Sequence, residues 1–155
     1  PEAQIDRFAV KTAIGYPDED GEVELLQRRR GRDALSPTVE SVLAPGDVEA
    51  VRSAPEAVRV EDDLLDYMAA IARATRDDRR VRVGVSPRGT QRLFETARAR
   101  AVIEGREFVT PDDVKWVAEP TLAHRLVLTP DARVEDVQKE SIVREILDEI
   151  PVPTV

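Results

Sequence analysis

The sequence predicts a mainly α-helical bundle preceded by one β-strand, and three observations predict it. Leu64, Met68, Ile71, Ala72 and Thr75 recur at helical spacing and put an apolar stripe on one face of a helix. Two start signals, Ser86-Pro87 and Thr110-Pro111-Asp112-Asp113, each set a hydroxyl at the N-cap and a proline at the first helical position, where a missing N–H is harmless. Phe8, Val10, Thr12 and Ile14 alternate with Ala9, Lys11 and Ala13, which is the period of a strand.

Taken in order, residues 2–7 read as the tail of a helix and 8–14 as the strand, which Gly15-Tyr16-Pro17 stops. A lone strand is not stable in water, so its sheet partners lie elsewhere. It is expected to be disordered, packed back on the helices or paired with another copy. The opening Pro1 to Phe8 reads like the middle of a longer protein. From Asp18 the pattern turns helical, with Val23, Leu25 and Leu26 among charges and Arg28-Arg29-Arg30 ahead of Gly31, as suits cations at a helix C-terminus. That arginine run fits either a phosphate patch or a solvated helix end.

Residues 32–46 read as a connecting loop with at most one helical turn. Asp47 is expected to cap a short helix carrying Val48, Val51 and Ala54, ended by Pro55. The striped helix starts at Asp62 or Asp63 and gathers Arg73, Arg76, Arg79 and Arg80 towards its end. Val81 to Val85 leads into Ser86-Pro87, after which Leu93, Phe94, Ala97 and Ala101 form a buried face and Gly105 ends the helix. After Thr110, Val114, Val117 and Ala118 face inward, and Pro120 is expected to kink or restart the helix before Leu122, Leu126 and Leu128. Trp116 is expected to be half-buried, in preference to touching a partner. The last helix, Ser141 to Ile150, presents Ile142, Val143, Ile146, Leu147 and Ile150, and Pro151 stops it. The division is therefore 1–17, a helix end plus strand; 18–150, the helical domain; and 151–155, a tail.

Composition narrows the function classes. With 41% hydrophobic and 35% charged residues in 155, the chain is globular and not disordered, and 4% aromatics leave the core to Ala, Val, Leu and Ile. A formal charge of −8 repels a phosphate backbone, so nucleic acid is a disfavoured partner. Lysine occurs only at 11, 115 and 139, and this preference for arginine suits a high-salt or GC-rich source. With no cysteine there are no disulfides, thiolate metal sites or thiol nucleophiles. No apolar run approaches about 18 residues, so a cytoplasmic protein with no membrane partner is expected.

Few constellations could carry chemistry. Asp18-Glu19-Asp20 and Asp62-Asp63 sit at helix starts, where acids serve the helix dipole. His124 is the sole histidine, which excludes a histidine metal cage and points to a polar contact at or between helices. There is no Walker-type or dinucleotide glycine-rich loop. Arg88 is the odd residue: it lies in a first helical turn, where free N–H groups favour anions, so it makes sense if an external anion such as phosphate joins it. From these local residues alone, a surface arginine on a well-capped helix is the preferred reading.

Several blocks combine. Pro1 to Phe8, Ile14-Gly15-Tyr16-Pro17, Ala74-Thr75-Arg76, Gly84-Val85-Ser86-Pro87-Arg88, Gly105 to Val114 and His124-Arg125-Leu126 resemble, in this order, the C-terminal half of a MoxR-family AAA+ ATPase. The resemblance implies a helical-bundle AAA+ lid domain over 18–150, preceded in 1–17 by the last strand of an α/β ATPase core. It implies that Arg7 is similar to an arginine finger acting in trans and that Arg88 is similar to the sensor-2 arginine at the γ-phosphate. A planar guanidinium bonds two phosphate oxygens at once, which lysine does not. ATP and Mg²⁺ are the implied cofactors of the full-length protein. The P-loop lysine, the Walker-B acid and sensor 1 would precede Pro1, so this chain alone is expected neither to hold ATP tightly nor to hydrolyse it. The implied role is a chaperone that assembles as a ring and matures protein complexes, with von Willebrand factor A domain proteins as possible partners. The alternative is a free-standing helical protein–protein adaptor that never meets nucleotide; a nucleic-acid module, resting on the arginine runs, would require salt-dependent DNA retention.

Overall fold

The computed structural model describes residues 2–32 and 39–154. Its helices are α1 (Glu2–Ile5), α2 (Glu19–Arg30), α3 (Pro45–Ser53), α4 (Asp62–Asp77), α5 (Pro87–Ile103), α6 (Pro111–Leu122), α7 (Pro130–Val134) and α8 (Lys139–Glu149), with 3₁₀ turns at Ala54–Ala57 and Ala123–Arg125. Strands β1 (Val81–Val83) and β2 (Val127–Leu128) pair antiparallel, Val81 opposite Leu128 and Val83 opposite Val127.

The bundle is built by α4, α5, α6 and α8, and the stripes read from the sequence supply its interior. Leu64, Met68, Ile71 and Ala72 of α4 meet Leu93, Ala97 and Ala101 of α5, Val114, Val117, Ala118 and Leu122 of α6, and Ile142, Val143, Ile146 and Leu147 of α8. Tyr67 joins them. Helix α5 packs on α4 and α6, and α8 closes the bundle against α4 and α6. The start and stop signals work as expected. Ser86 and Thr110 cap α5 and α6, and Gly105 takes φ +70° while the Gly105 and Arg106 N–H groups close onto Val102 and Ala101 carbonyls.

Four expectations need correcting. Residues 8–14 form no strand and join no sheet among the described residues, and they are exposed throughout; the alternation is present without ladder partners. They lie back on the bundle at a few polar points, one of them the Lys11 N–H donating to the Pro120 carbonyl at 2.9 Å. The short sheet instead uses Val81–Val83, paired with two residues too few to show a period. Trp116 is 61% exposed, because the inward face of α6 is taken by Val114, Val117 and Ala118; the Arg100 guanidinium lies 4.1 Å from its ring centre. Helix α3 starts at Pro45 with Ala44 as N-cap, so Asp47 stands one turn inside and its carboxylate accepts the Ala44 N–H at 2.8 Å. Pro120 stays within α6, and the helix ends two residues later by tightening into the 3₁₀ turn. Of the loop expected over 32–46, residues 33–38 lie outside the described ones. Helices α2 and α3 bury no residue, and Arg28-Arg29-Arg30 form a solvated end with Arg28 paired to Glu24 at 2.6 Å.

Candidate functional site: a polar junction at the start of helix α5

The turn from β1 to α5 is built on close backbone approaches. A Cβ on Gly84 would stand 2.7 Å from both Arg76 Cα and the Thr75 carbonyl oxygen, so only glycine lets this strand end lie on α4. Val85, buried beneath it, donates its N–H to Thr75 Oγ1 at 3.0 Å and accepts from Arg76 Nε at 2.7 Å. Ser86 Oγ accepts the Gly89 N–H at 3.2 Å, and its hydroxyl donates to the Asp6 carboxylate at 3.1 Å. The Thr75-Arg76 and Gly84-Val85-Ser86-Pro87-Arg88 blocks are thus one structural unit. Arg88 is the second residue of α5, and its guanidinium is exposed.

Asp6 connects this unit to the N-terminal segment through Arg125. The Arg125 side chain is 1% exposed, and its Nε donates to Asp6 Oδ1 at 3.1 Å. Nη2 donates to the carbonyls of Asp6 at 3.1 Å and Phe8 at 2.6 Å, and Nη1 to those of Ala9 at 3.3 Å and Thr121. Burial pulls the Arg125 pKa down and Asp6 offsets this in part. The stem of Arg125 passes over Gly89, where a Cβ would stand 2.8 Å from Arg125 Cδ. Beside this junction is a cleft of about 450 Å³ with apolar walls from Ile5, Val83, Leu126 and Leu128 and cations at Arg133 and Lys139.

His124 completes the junction. Its Nδ1 lies 3.1 Å from the Pro120 carbonyl and its Nε2 3.2 Å from the Phe8 carbonyl, each of which a ring N–H would satisfy, while Nε2 also lies 2.8 Å from Arg125 Nη1. The two carbonyls favour the charged ring and so work to raise its pKa, against burial and the neighbouring guanidinium. Burial, then the Arg125 charge, lowers the His124 pKa from its ordinary 6.5. A depressed histidine contributes stability that is complete above pH 6.5 and is lost as pH falls through the lower folded pKa. Because the chain has one histidine, its NMR titration is unambiguous, and a midpoint below 6.5 is expected; one at or above 6.5 would mean that the two carbonyls outweigh burial and the Arg125 charge.

Of the two residues singled out from the sequence, Arg7 lies in the turn after α1 and Arg88 in the first turn of α5. Both are exposed, and among the described residues neither guanidinium has a hydrogen bond or ion pair. The Asp6–Ser86 hydrogen bond brings the segments that carry them together. Asp6, Gly89 and Arg125 were not foreseen as site residues. Asp6 and Arg125 had a signal in the blocks that carry the resemblance, and Gly89 only in following Arg88, but Asp6 and Arg125 are 119 positions apart, and local pattern does not predict such a pair. Among the described residues no group of three or more His, Cys, Asp or Glu could hold a metal ion.

Residues 73–146, which include Arg88 and Arg125, match the AAA lid domain family. The chain is 32% identical to the protein named Chaperone MoxR1 of Mycobacterium tuberculosis over 164 aligned positions, covering all of this chain and 43% of that protein. It is 33% identical to Protein MoxR of Paracoccus denitrificans, covering 99% of this chain and 51% of the relative. By these matches the chain is similar to part of the MoxR-named AAA+ proteins. A Bacillus subtilis protein, YeaC, described as uncharacterized, is 39% identical, covering 99% of this chain and 48% of its own length. A crystal structure of an ATPase candidate from Cytophaga hutchinsonii superposes with a TM-score of 0.91 at 28% identity, over 99% of this chain and 49% of that one. The chain therefore spans about half the length of the curated relatives it matches. Asp6 and Arg7 precede the matched lid, so the Asp6–Ser86 and Asp6–Arg125 bonds tie a segment outside the lid to the lid itself.

Among the described residues, no helix is long and apolar enough to cross a membrane.

Proposed function

We propose that this chain is the nucleotide-sensing lid of a MoxR-like ATPase, with Arg88 as the sensor-2 arginine and Arg7 as an arginine finger reaching the neighbouring subunit's nucleotide. One observation carries the reading: two exposed guanidiniums with no hydrogen bond or ion pair among the described residues stand on segments bonded to each other, one at a capped helix N-terminus. Such a pair suits an anion with several oxygens, and the apolar and cationic cleft beside it suits a nucleotide. ATP with Mg²⁺ supplies the transferable phosphoryl group when bound. The carboxylates for the metal and the phosphate cradle belong to the rest of the full-length protein, so this chain by itself does not turn over ATP. The full-length protein acts as a ring-forming chaperone with von Willebrand factor A domain proteins and client complexes as partners; the name Chaperone MoxR1 of the Mycobacterium tuberculosis relative supports the chaperone part.

The test is Arg88→Ala in the full-length protein. ATP turnover is expected to fall, with the lid no longer closing when ATP is added, as read by a fluorescence distance between lid and core. In parallel, ATP titrated into the 155-residue chain is expected to give no saturable binding at micromolar concentration. Unchanged turnover in the variant, or a tight isotherm with hydrolysis by the chain alone, would overturn the reading.

A further inference from the structure

The N-terminal segment is held on the bundle by an unusual means. Its apolar side chains do little: Ile5 is 43%, Phe8 67% and Val10 47% exposed. What attaches it is polar. Arg125 accounts for the carboxylate and carbonyl of Asp6 and for the carbonyls of Phe8 and Ala9, Ser86 adds a second bond to Asp6, and Pro120 takes the Lys11 N–H. The same Arg125 stem lies on Gly89, the third residue of α5. One buried guanidinium therefore touches both the segment that carries Arg7 and the helix that carries Arg88.

We propose that Asp6 and Arg125 are positioning residues: together they clamp the Arg7 segment in one register against the start of α5, so that the Arg7 and Arg88 guanidiniums are presented as a pair of fixed separation. The geometry explains the residue types. Only a planar fork with five donors serves four backbone carbonyls and a carboxylate from one site. Only glycine at 89 leaves room for its stem. Asp6 reaches Ser86 and Arg125 at once, and so links the cap of α5 to the clamp. The catalytic consequence rests on the nucleotide-sensing reading above; the clamp itself does not.

The chain contains no cysteine, so two can be introduced without background. Gln4→Cys and Gln91→Cys, both at exposed positions in α1 and α5, carry nitroxide labels whose separation is read by pulsed electron–electron resonance. A single narrow distance is expected in the 155-residue chain, and a broad distribution once Asp6→Ala or Arg125→Ala is added. Arg125→Lys is expected not to restore the narrow distance, because an ammonium cannot span the same acceptors. Arg125→Ala empties a buried site; where it fails to fold, Asp6→Ala decides, since that side chain is 26% exposed and leaves no hole in the core. A narrow distance retained in folded Asp6→Ala would overturn the clamp. In the full-length protein, Asp6→Ala is expected to lower kcat by about 10- to 100-fold, as misplacement of reacting groups does, with little change in KM for ATP. Asp6→Glu, which keeps the carboxylate, is expected to recover part of it. Broadened distances with unchanged turnover would uphold the clamp and overturn the nucleotide reading, so the two fail separately.

Discussion

Replacing Arg7 with alanine in the full-length protein is expected to lower kcat for ATP hydrolysis by roughly 10³-fold or more, the scale on which an arginine supplied in trans acts on phosphoryl transfer. Charge spreads over the transferred phosphoryl oxygens at the transition state, and in the role proposed above Arg7, which has no hydrogen bond or ion pair among the described residues, would meet it there at no cost in broken protein contacts. Arg7 is exposed and outside the buried core, so the variant should keep its stability within about 0.5 kcal/mol, and the loss will be chemical. KM for ATP should change little, because an interaction made in the transition state appears in kcat. Arg7→Lys should recover little, since a point charge does not bridge two oxygens. The trans assignment has its own measurement. Subunits carrying Arg7→Ala, mixed with subunits disabled at their own nucleotide site but retaining Arg7, should regain part of the turnover that neither shows alone. Turnover near wild type in Arg7→Ala, or no recovery on mixing, would remove Arg7 from this role.

The contrast between α4 and the Arg125 junction shows what a local pattern contains. Leu64, Met68, Ile71, Ala72 and Thr75 are all buried, because burial of a helix face is imposed by a 3.6-residue period that the sequence itself displays. The caps at Ser86 and Thr110 were legible for the same reason: the hydroxyl and the N–H it accepts lie three positions apart. Residues 8–14 display a strand's period just as plainly, yet a period says only which side chains share a face and not whether another strand is there to pair with. Trp116 was misplaced because a large aromatic invites burial, while Arg100, sixteen positions earlier on another helix, gives its ring a guanidinium to lie under. Of the site, Arg7 and Arg88 could be picked out by resemblance and by Arg88's odd place in a helix start. Asp6, Gly89 and Arg125 act through contacts between distant segments, and those exist only once the bundle has formed.

Removing the Asp113 carboxylate should produce the largest loss of stability among single changes at the helix starts, about 3 kcal/mol for Asp113→Ala, or a fall of about 10 °C in Tm. Asp113 is 3% exposed and serves four donors: Arg106 Nη1 at 2.7 Å and Nη2 at 2.5 Å, and the N–H and hydroxyl of Thr110, each at 2.8 Å. It therefore closes the capping box of α6 and fixes the turn from α5, while Arg106 also donates to the Phe108 carbonyl at 3.0 Å. The estimate sits at the low end for a broken buried pair because the Arg106 side chain is 28% exposed and water can take over its donors. Asp113→Asn should cost less than Asp113→Ala: an amide oxygen still accepts, but its NH₂ faces donors. Acid separates charge from shape. Burial works to raise the Asp113 pKa, yet Arg106 and Thr110 together hold it below its ordinary 3.8. A depressed carboxyl contributes stability that is complete above the unfolded pKa and is lost as pH falls through the folded one. The gap between wild type and Asp113→Asn, measured by urea unfolding, should thus be constant near neutrality and close below about pH 4. Arg106→Ala completes the cycle: it leaves a carboxylate buried with only Thr110 for partners, so it should destabilise nearly as much alone and add little in an Asp113→Ala background.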